Sequence, residues 1–205
     1  MKNLLILIAV IFAAQSSNAQ SGAMKEPVSF KLKNGLTVIV AENTSATNVF
    51  SSFSPEANLS AEVKIGAREV LTAMLNNSAA KLANQVSFTE KGGNIKAVGS
   101  DFDMALSALS STVQQPVLSQ DVFELCKTEL IKSVNAKDRY YSTEMNEEAL
   151  SALTLNDIRS LHHDLMVPGS TYLTIAGSIS VVEAKILAKK AFGSWRGAEA
   201  VEISK

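Results

Sequence analysis

The pair Asn34-Gly35 constrains the fold more than any other feature of this chain. It sits inside "VSFKLKNGLTVIVAEN", between two short apolar runs. Phe30 and Leu32 alternate with polar neighbours, and Leu36 to Val40 is rich in β-branched residues. A type I′ hairpin turn needs positive φ at both central positions, and Asn-Gly adopts them at little steric cost. The stretch therefore predicts a β-hairpin whose return strand is buried.

Further along, the period changes. Thr44 to Lys64 holds one strand-like run, "TNVFSSFS", and shows no clear period after it. Ala67, Val70, Leu71, Met74 and Leu75 recur at three- and four-residue spacing, which predicts a helix from Gly66 to Asn77. A shorter helical piece is expected from Ser78 to Val86. Gly92-Gly93 punctuates the chain, Ile95 to Val98 reads as a strand, and Gly99-Ser100-Asp101 as a turn. Phe102, Met104, Leu106 and Ala108 then alternate with Asp103, Ala105 and Ser107, the period of a second strand.

Pro116 marks a break, and Ser119 is an N-cap for a helix through about Val134. Its apolar stripe is Val122, Phe123, Cys126, Leu130 and Val134. The stretch from Asp138 to Met145 is irregular, and a short helix is expected near Glu147 to Ala152. Thr154 and Asp157 make a capping box with Asp in place of the usual Glu. The helix it opens ends before Pro168, which cannot continue one. "STYLTIAGSI" reads as a strand, and Ser180 caps a last helix with Val181, Ala184, Leu187, Ala188 and Ala191 on its apolar side. Helices and hairpin strands mixed without regular βαβ alternation predict an α+β domain. Its sheet is largely antiparallel, with helices packed on one face.

The first 19 residues stand apart. Lys2 precedes an apolar run from Leu4 to Ala14, and Ser17-Asn18-Ala19 offers a small-residue cleavage site, the layout of a secretory signal peptide. The run is shorter than the roughly 20 residues of a membrane span; a membrane-anchoring helix is the alternative. The remainder divides into a flexible lead-in (20–28), one domain (29–197) and a tail (198–205), enough for one core and too little for two. The expectation is export to the periplasm or beyond the cell, with no stable membrane span. Nineteen basic side chains face 20 acidic ones with no Lys/Arg block, so nucleic acid is not an expected partner. A single cysteine, Cys126, allows no internal disulfide. Within a helical stripe it reads as a small buried apolar residue rather than a reactive thiol.

"FKLKNGLTVIVAEN" resembles the opening hairpin of the insulinase/pitrilysin family of zinc metallopeptidases. That family includes the mitochondrial processing peptidase and the core subunits of the respiratory bc1 complex. "ALTLNDIRSLHHDLMVPGSTYLTIAGSIS", followed by "AKKAFGSW", is similar to the end of one domain of that family, and "GGNIKAVGSDFDMALSALSS" to its middle hairpin. The resemblance implies a single processing-peptidase-like domain. It also implies a place for metal, because active members carry His-x-x-Glu-His on the first helix. Aligned on Gly66 and on Met74-Leu75, "GAREVLTAML" has Glu69, Thr72 and Ala73 at the three ligand and base positions.

Positions i, i+3 and i+4 share one helix face, which is why such a motif can chelate. Here that face offers a carboxylate, a hydroxyl and a methyl group. A catalytic zinc needs about three protein ligands of His, carboxylate or Cys type, and Thr72 has no pKa near neutrality with which to act as general base. Glu129 or Glu124 matches the further Glu that the family supplies from a later helix. His162 and His163 are adjacent, so on a helix they diverge by about 100° and do not grip one ion; they read as surface and helix-end residues. No Gly-x-Ser-x-Gly elbow occurs. Arg139, Tyr140 and Tyr141 read either as an exposed recognition patch or as a loop anchored by aromatic packing.

The expected protein is an exported, non-catalytic homologue of these peptidases, with no catalytic, metal or cofactor residues of its own; zinc belongs to the active members. It is expected to pair with an active subunit or a second copy, or to bind a peptide, with the sheet edge as a place for strand addition. Two alternatives stand beside it. One is a zinc-dependent metalloendopeptidase whose ligands a partner completes; the other is an envelope structural or interaction protein.

Overall fold

The computed structural model describes residues 24–56, 63–137 and 140–197. The expected signal peptide and the tail from 198 lie outside the described residues. Six described strands form one sheet: β1 (Val28–Lys31), β2 (Thr37–Glu42), β3 (Asn48–Pro55), β4 (Val86–Thr89), β5 (Gly92–Val98) and β6 (Thr171–Gly177). Their order is β1-β2-β6-β3-β5-β4. Every pairing is antiparallel except β2 with β6. The helices are α1 (Ala67–Ala80), α2 (Phe102–Gln114), α3 (Gln120–Ala136), α4 (Glu147–Ser151), α5 (Leu155–Leu165) and α6 (Val181–Phe192).

Directly paired residues of a sheet project from the same face. Val40, Ile175, Ser51, Ile95 and Val86 make one such row across five strands, and Val38, Leu173, Phe53, Gly93 and Phe88 make the next. Both rows are buried. On this face α6 packs on β2, α2 on β5 and α1 on β4, while α3 and α5 pack against α1. The opposite face carries Phe50, Ser52, Asn94, Lys96 and Thr174, and Phe50 is 46% exposed. The fold is the expected α+β arrangement, a mostly antiparallel sheet with its helices on one side.

The opening hairpin forms, with a different turn. Leu32 N–H donates to Leu36 O at 2.9 Å and Gly35 N–H to Leu32 O at 3.0 Å. The loop is therefore three residues long, and only Gly35 takes positive φ, at +93°, as a type I turn closed by a left-handed residue requires. Asn34 has another use. Its Nδ2 donates to the carbonyls of Phe192 at 2.8 Å and Trp195 at 2.7 Å, fastening the hairpin tip to the end of α6. Under that tip Phe53, Phe192 and Trp195 pack with ring centroids 5.8–5.9 Å apart. Aromatic pairs of this kind contribute about 0.5–1.5 kcal/mol beyond burial.

Three expectations need correction. The flexible lead-in over 20–28 is tied down where it is described: Met24 bridges Asn43, Lys25 N–H donates to Glu42 O at 2.9 Å, and Val28 already belongs to β1. The short helix from Ser78 to Val86 does not form. Helix α1 runs on to Ala80, and Val86 begins β4. The strand read at Phe102–Ala108 is the first half of α2. Met104, assigned inward by alternation, is 57% exposed, whereas Ala105, assigned outward, is fully buried. Phe102, Ala105, Leu106, Leu109 and Val113 form the buried stripe, a helical period that the short window concealed. The middle hairpin is instead β4–β5.

The helix caps follow the sequence. Ser119, Asn146 and Ser180 accept from the N–H groups of Val122, Ala149 and Glu183. Thr154 and Asp157 form a complete capping box.

Candidate functional site

Helix α1 starts at Gly66, whose φ is +80°. A Cβ there would stand 2.3 Å from Leu150 Cδ2, so both the backbone angle and the packing of α4 select glycine. Ala67, Val70, Leu71, Met74, Leu75, Ser78 and Ala79 are buried. That stripe leaves Glu69, Thr72, Ala73, Asn76 and Asn77 half-buried along one side of the helix.

Two hollows flank this side. The first, about 340 Å³, lies between α1 and β4 and is lined by Glu69, Thr72, Ala73, Asn76, Phe88, Thr89 and Glu90. The second, about 370 Å³, lies between α1 and α3. There Glu69, Ala73 and Asn77 face Cys126, Glu129 and Ser133. Glu69 and Ala73 border both. Of the two later acids, Glu129 reaches this place. Glu124 instead takes bonds from Gln120 at 2.9 Å and Lys127 at 3.2 Å on the exposed side of α3. Glu129 also pairs with Lys132 at 2.8 Å, both side chains being well exposed.

The donor set does not fit a catalytic zinc. Thr72 is a poor neutral donor and Ala73 contributes none, which leaves Glu69 and Glu129. Cys126 is buried, and burial pushes its thiol pKa up, away from the thiolate that a metal requires. Among the described residues, no three His, Cys, Asp or Glu side chains form a metal-holding group.

The histidines line neither hollow. His162 is half-buried on α5 and its Nε2–H donates to Val113 O at 2.9 Å, joining α5 to α2. Burial pushes its pKa down, and neighbouring His163 pushes in the same direction. His163 Nδ1 pairs with Asp164 at 3.0 Å on the surface. The loop at 139–141 divides. Tyr140 is 95% exposed, Tyr141 is half-buried with its hydroxyl bonded to Ser133 Oγ, and Arg139 lies outside the described residues.

Sequence reasoning missed the wall of the site. In "QVSFTE", Val86 and Phe88 alternate inward with Ser87 and Thr89 outward, a strand signal whose start the helical reading of Ser78 to Val86 had taken in. It also missed Asn76, which joins α1 to that wall. Phe88 N–H donates to Asn76 Oδ1 at 2.7 Å and Asn76 Nδ2 donates to Phe88 O at 2.9 Å.

No protein-family model matches the chain, and no curated protein matches its sequence. Solved structures do match its fold. A protease from Helicobacter pylori aligns with a TM-score of 0.72 at 15% identity, over 89% of this chain and 53% of that one. Pitrilysin aligns at 0.68 and 14%, over 91% of this chain and 24% of the other. An inactive domain of an M16 peptidase from Pseudomonas fluorescens aligns at 0.63 and 14%, over 82% and 50%. The likeness is one of fold, shared with M16 peptidases and with an inactive domain of that kind. The chain spans about half the length of the first and third of these proteins, and about a quarter of pitrilysin.

Proposed function

We propose that this chain is an exported, non-catalytic homologue of the insulinase/pitrilysin-type metallopeptidases that pairs with an active subunit or with a second copy of itself. The observation that carries the reading is the half-buried stripe of α1. The side that would present the metal motif is intact as a surface, bordered by β4 and α3, and it presents Glu69, Thr72 and Ala73. A carboxylate, a hydroxyl and a methyl group neither hold zinc nor activate water. Export rests on the leader from Lys2 to Ala19; among the described residues no helix is long and apolar enough to cross a membrane.

The test is cleavage of unstructured peptides by the purified chain, with and without a chelator, alone and with the proteins that co-purify with it. No cleavage by the chain alone is expected, and a co-purifying chain bearing His-x-x-Glu-His is expected to supply any activity. Chelator-sensitive cleavage by the chain alone overturns the reading.

One observation favours a second reading, a metalloendopeptidase completed by a partner. Glu69 and Glu129 border the same hollow, so two carboxylates are already together. Glu69→Gln then abolishes the activity of the assembled complex; under the first reading it leaves that activity intact.

A further inference from the structure

Among the described residues, strand β4 ends the sheet, with β5 on one side and no strand on the other. Along an antiparallel edge, alternate residues turn their N–H and C=O away from the sheet, and an added strand pairs through those groups. Phe88 is such a residue. Its N–H and C=O point toward α1, where both meet the carboxamide of Asn76, at 2.7 and 2.9 Å. A carboxamide carries the same donor and acceptor as a peptide group. Asn76 therefore stands where one peptide unit of a seventh strand would stand, at the rim of the hollow between α1 and β4.

We infer that Asn76 is a built-in plug that keeps extended peptides from adding to the β4 edge. The groups of Phe88 are satisfied within the chain, so an incoming strand gains nothing at that residue until it displaces both bonds together. Position 76 sits one turn beyond Thr72 on the same side of α1, so the plug stands beside the positions of the missing metal motif. Loss of the motif and closure of the strand edge next to it act in the same direction. Both turn this groove away from processing a peptide and leave the remaining surface for a protein partner. The inference rests on the geometry of the edge and not on the catalytic status of the chain.

Amide hydrogen exchange at Phe88, followed by NMR on the isolated chain, tests it. Asn76→Ala is expected to speed exchange of the Phe88 amide about tenfold or more, with the central amide of Ile175 unchanged. The same variant is expected to bind a fluorescent, extended Thr/Val-rich peptide that the parent does not bind. Asn76→Asp keeps an acceptor for the Phe88 N–H and removes the donor to its carbonyl. It is expected to retain amide protection, and it provides the reading if the alanine variant does not fold. Equal exchange at Phe88 in the parent and Asn76→Ala, or loss of Phe88 protection in Asn76→Asp with Ile175 unchanged, overturns the inference. So does binding of the peptide by the parent as tightly as by Asn76→Ala. None of these readouts involves zinc or cleavage, so failure here is distinct from failure of the proposed function.

Discussion

Glu69 on α1 and Glu129 on α3 border one hollow, with Ala73 beside them. The α1–α3 scaffold thus still juxtaposes two acids, although the three positions at 69, 72 and 73 carry no histidine. If the deficit is only one of side chains, restoring them restores the metal. The variant Glu69→His, Thr72→Glu, Ala73→His is expected to bind zinc stoichiometrically, measured by elemental analysis after dialysis. The hollow of about 370 Å³ gives the new ring at position 73 space. Zinc content no higher than that of the parent would show that the backbone itself has departed from a metal-holding geometry.

The Asn34 clasp makes a stability prediction. Asn34→Ala removes two hydrogen bonds to the carbonyls of Phe192 and Trp195 and leaves those acceptors without their partner. The expected cost is about 1–3 kcal/mol, seen as a fall in Tm of several degrees. Loosened packing of Trp195 against Phe53 should accompany it, as a red shift of tryptophan fluorescence; Trp195 is the single tryptophan, so the signal is unambiguous.

Gly66→Ala tests the entry to α1. The left-handed φ and the close approach of Leu150 both oppose a Cβ. The expected cost is about 1–3 kcal/mol, measured as a lower denaturation midpoint. A neutral outcome would mean that α4 moves aside freely.

His162 makes stability depend on pH. Burial holds its folded pKa below the ordinary value of 6.5, so the unfolded chain binds a proton more readily than the folded one. The stabilisation from keeping the ring neutral is complete above about pH 6.5 and is lost as the pH falls through the lowered folded value. Asp157 acts in a more acidic window. The bond from Lys64 is the main cause of its lowered pKa, so its stabilisation is present above 3.8 and lost as the pH falls through the folded value. Denaturant midpoints between pH 7 and 5 should decline in the parent and decline less in His162→Gln.

Local chemistry made much of the fold legible. The caps at Ser119, Thr154 and Ser180 were readable because each is a contact within one turn of chain. The return strand at Leu36 to Val40 was readable because burial on one face imposes alternation. Segments with two compatible periods were misread. Phe102 to Ala108 alternates by chance over seven residues, and only burial against β5 and α6 makes it a helix. That Glu69, Thr72 and Ala73 share one side of α1 was legible, because i, i+3 and i+4 lie on one helix face. The wall opposite them was not. The Asn76–Phe88 bonds span 12 residues and depend on how α1 sits against the sheet edge, which no local pattern encodes.

The absence of a zinc site is tested most directly by equilibrium dialysis of the purified chain against micromolar zinc, followed by elemental analysis. Zinc is expected to stay at the level of the dialysis buffer, and Glu69→Gln to leave the result unchanged. One tightly held zinc per chain, lost in Glu69→Gln, would contradict it.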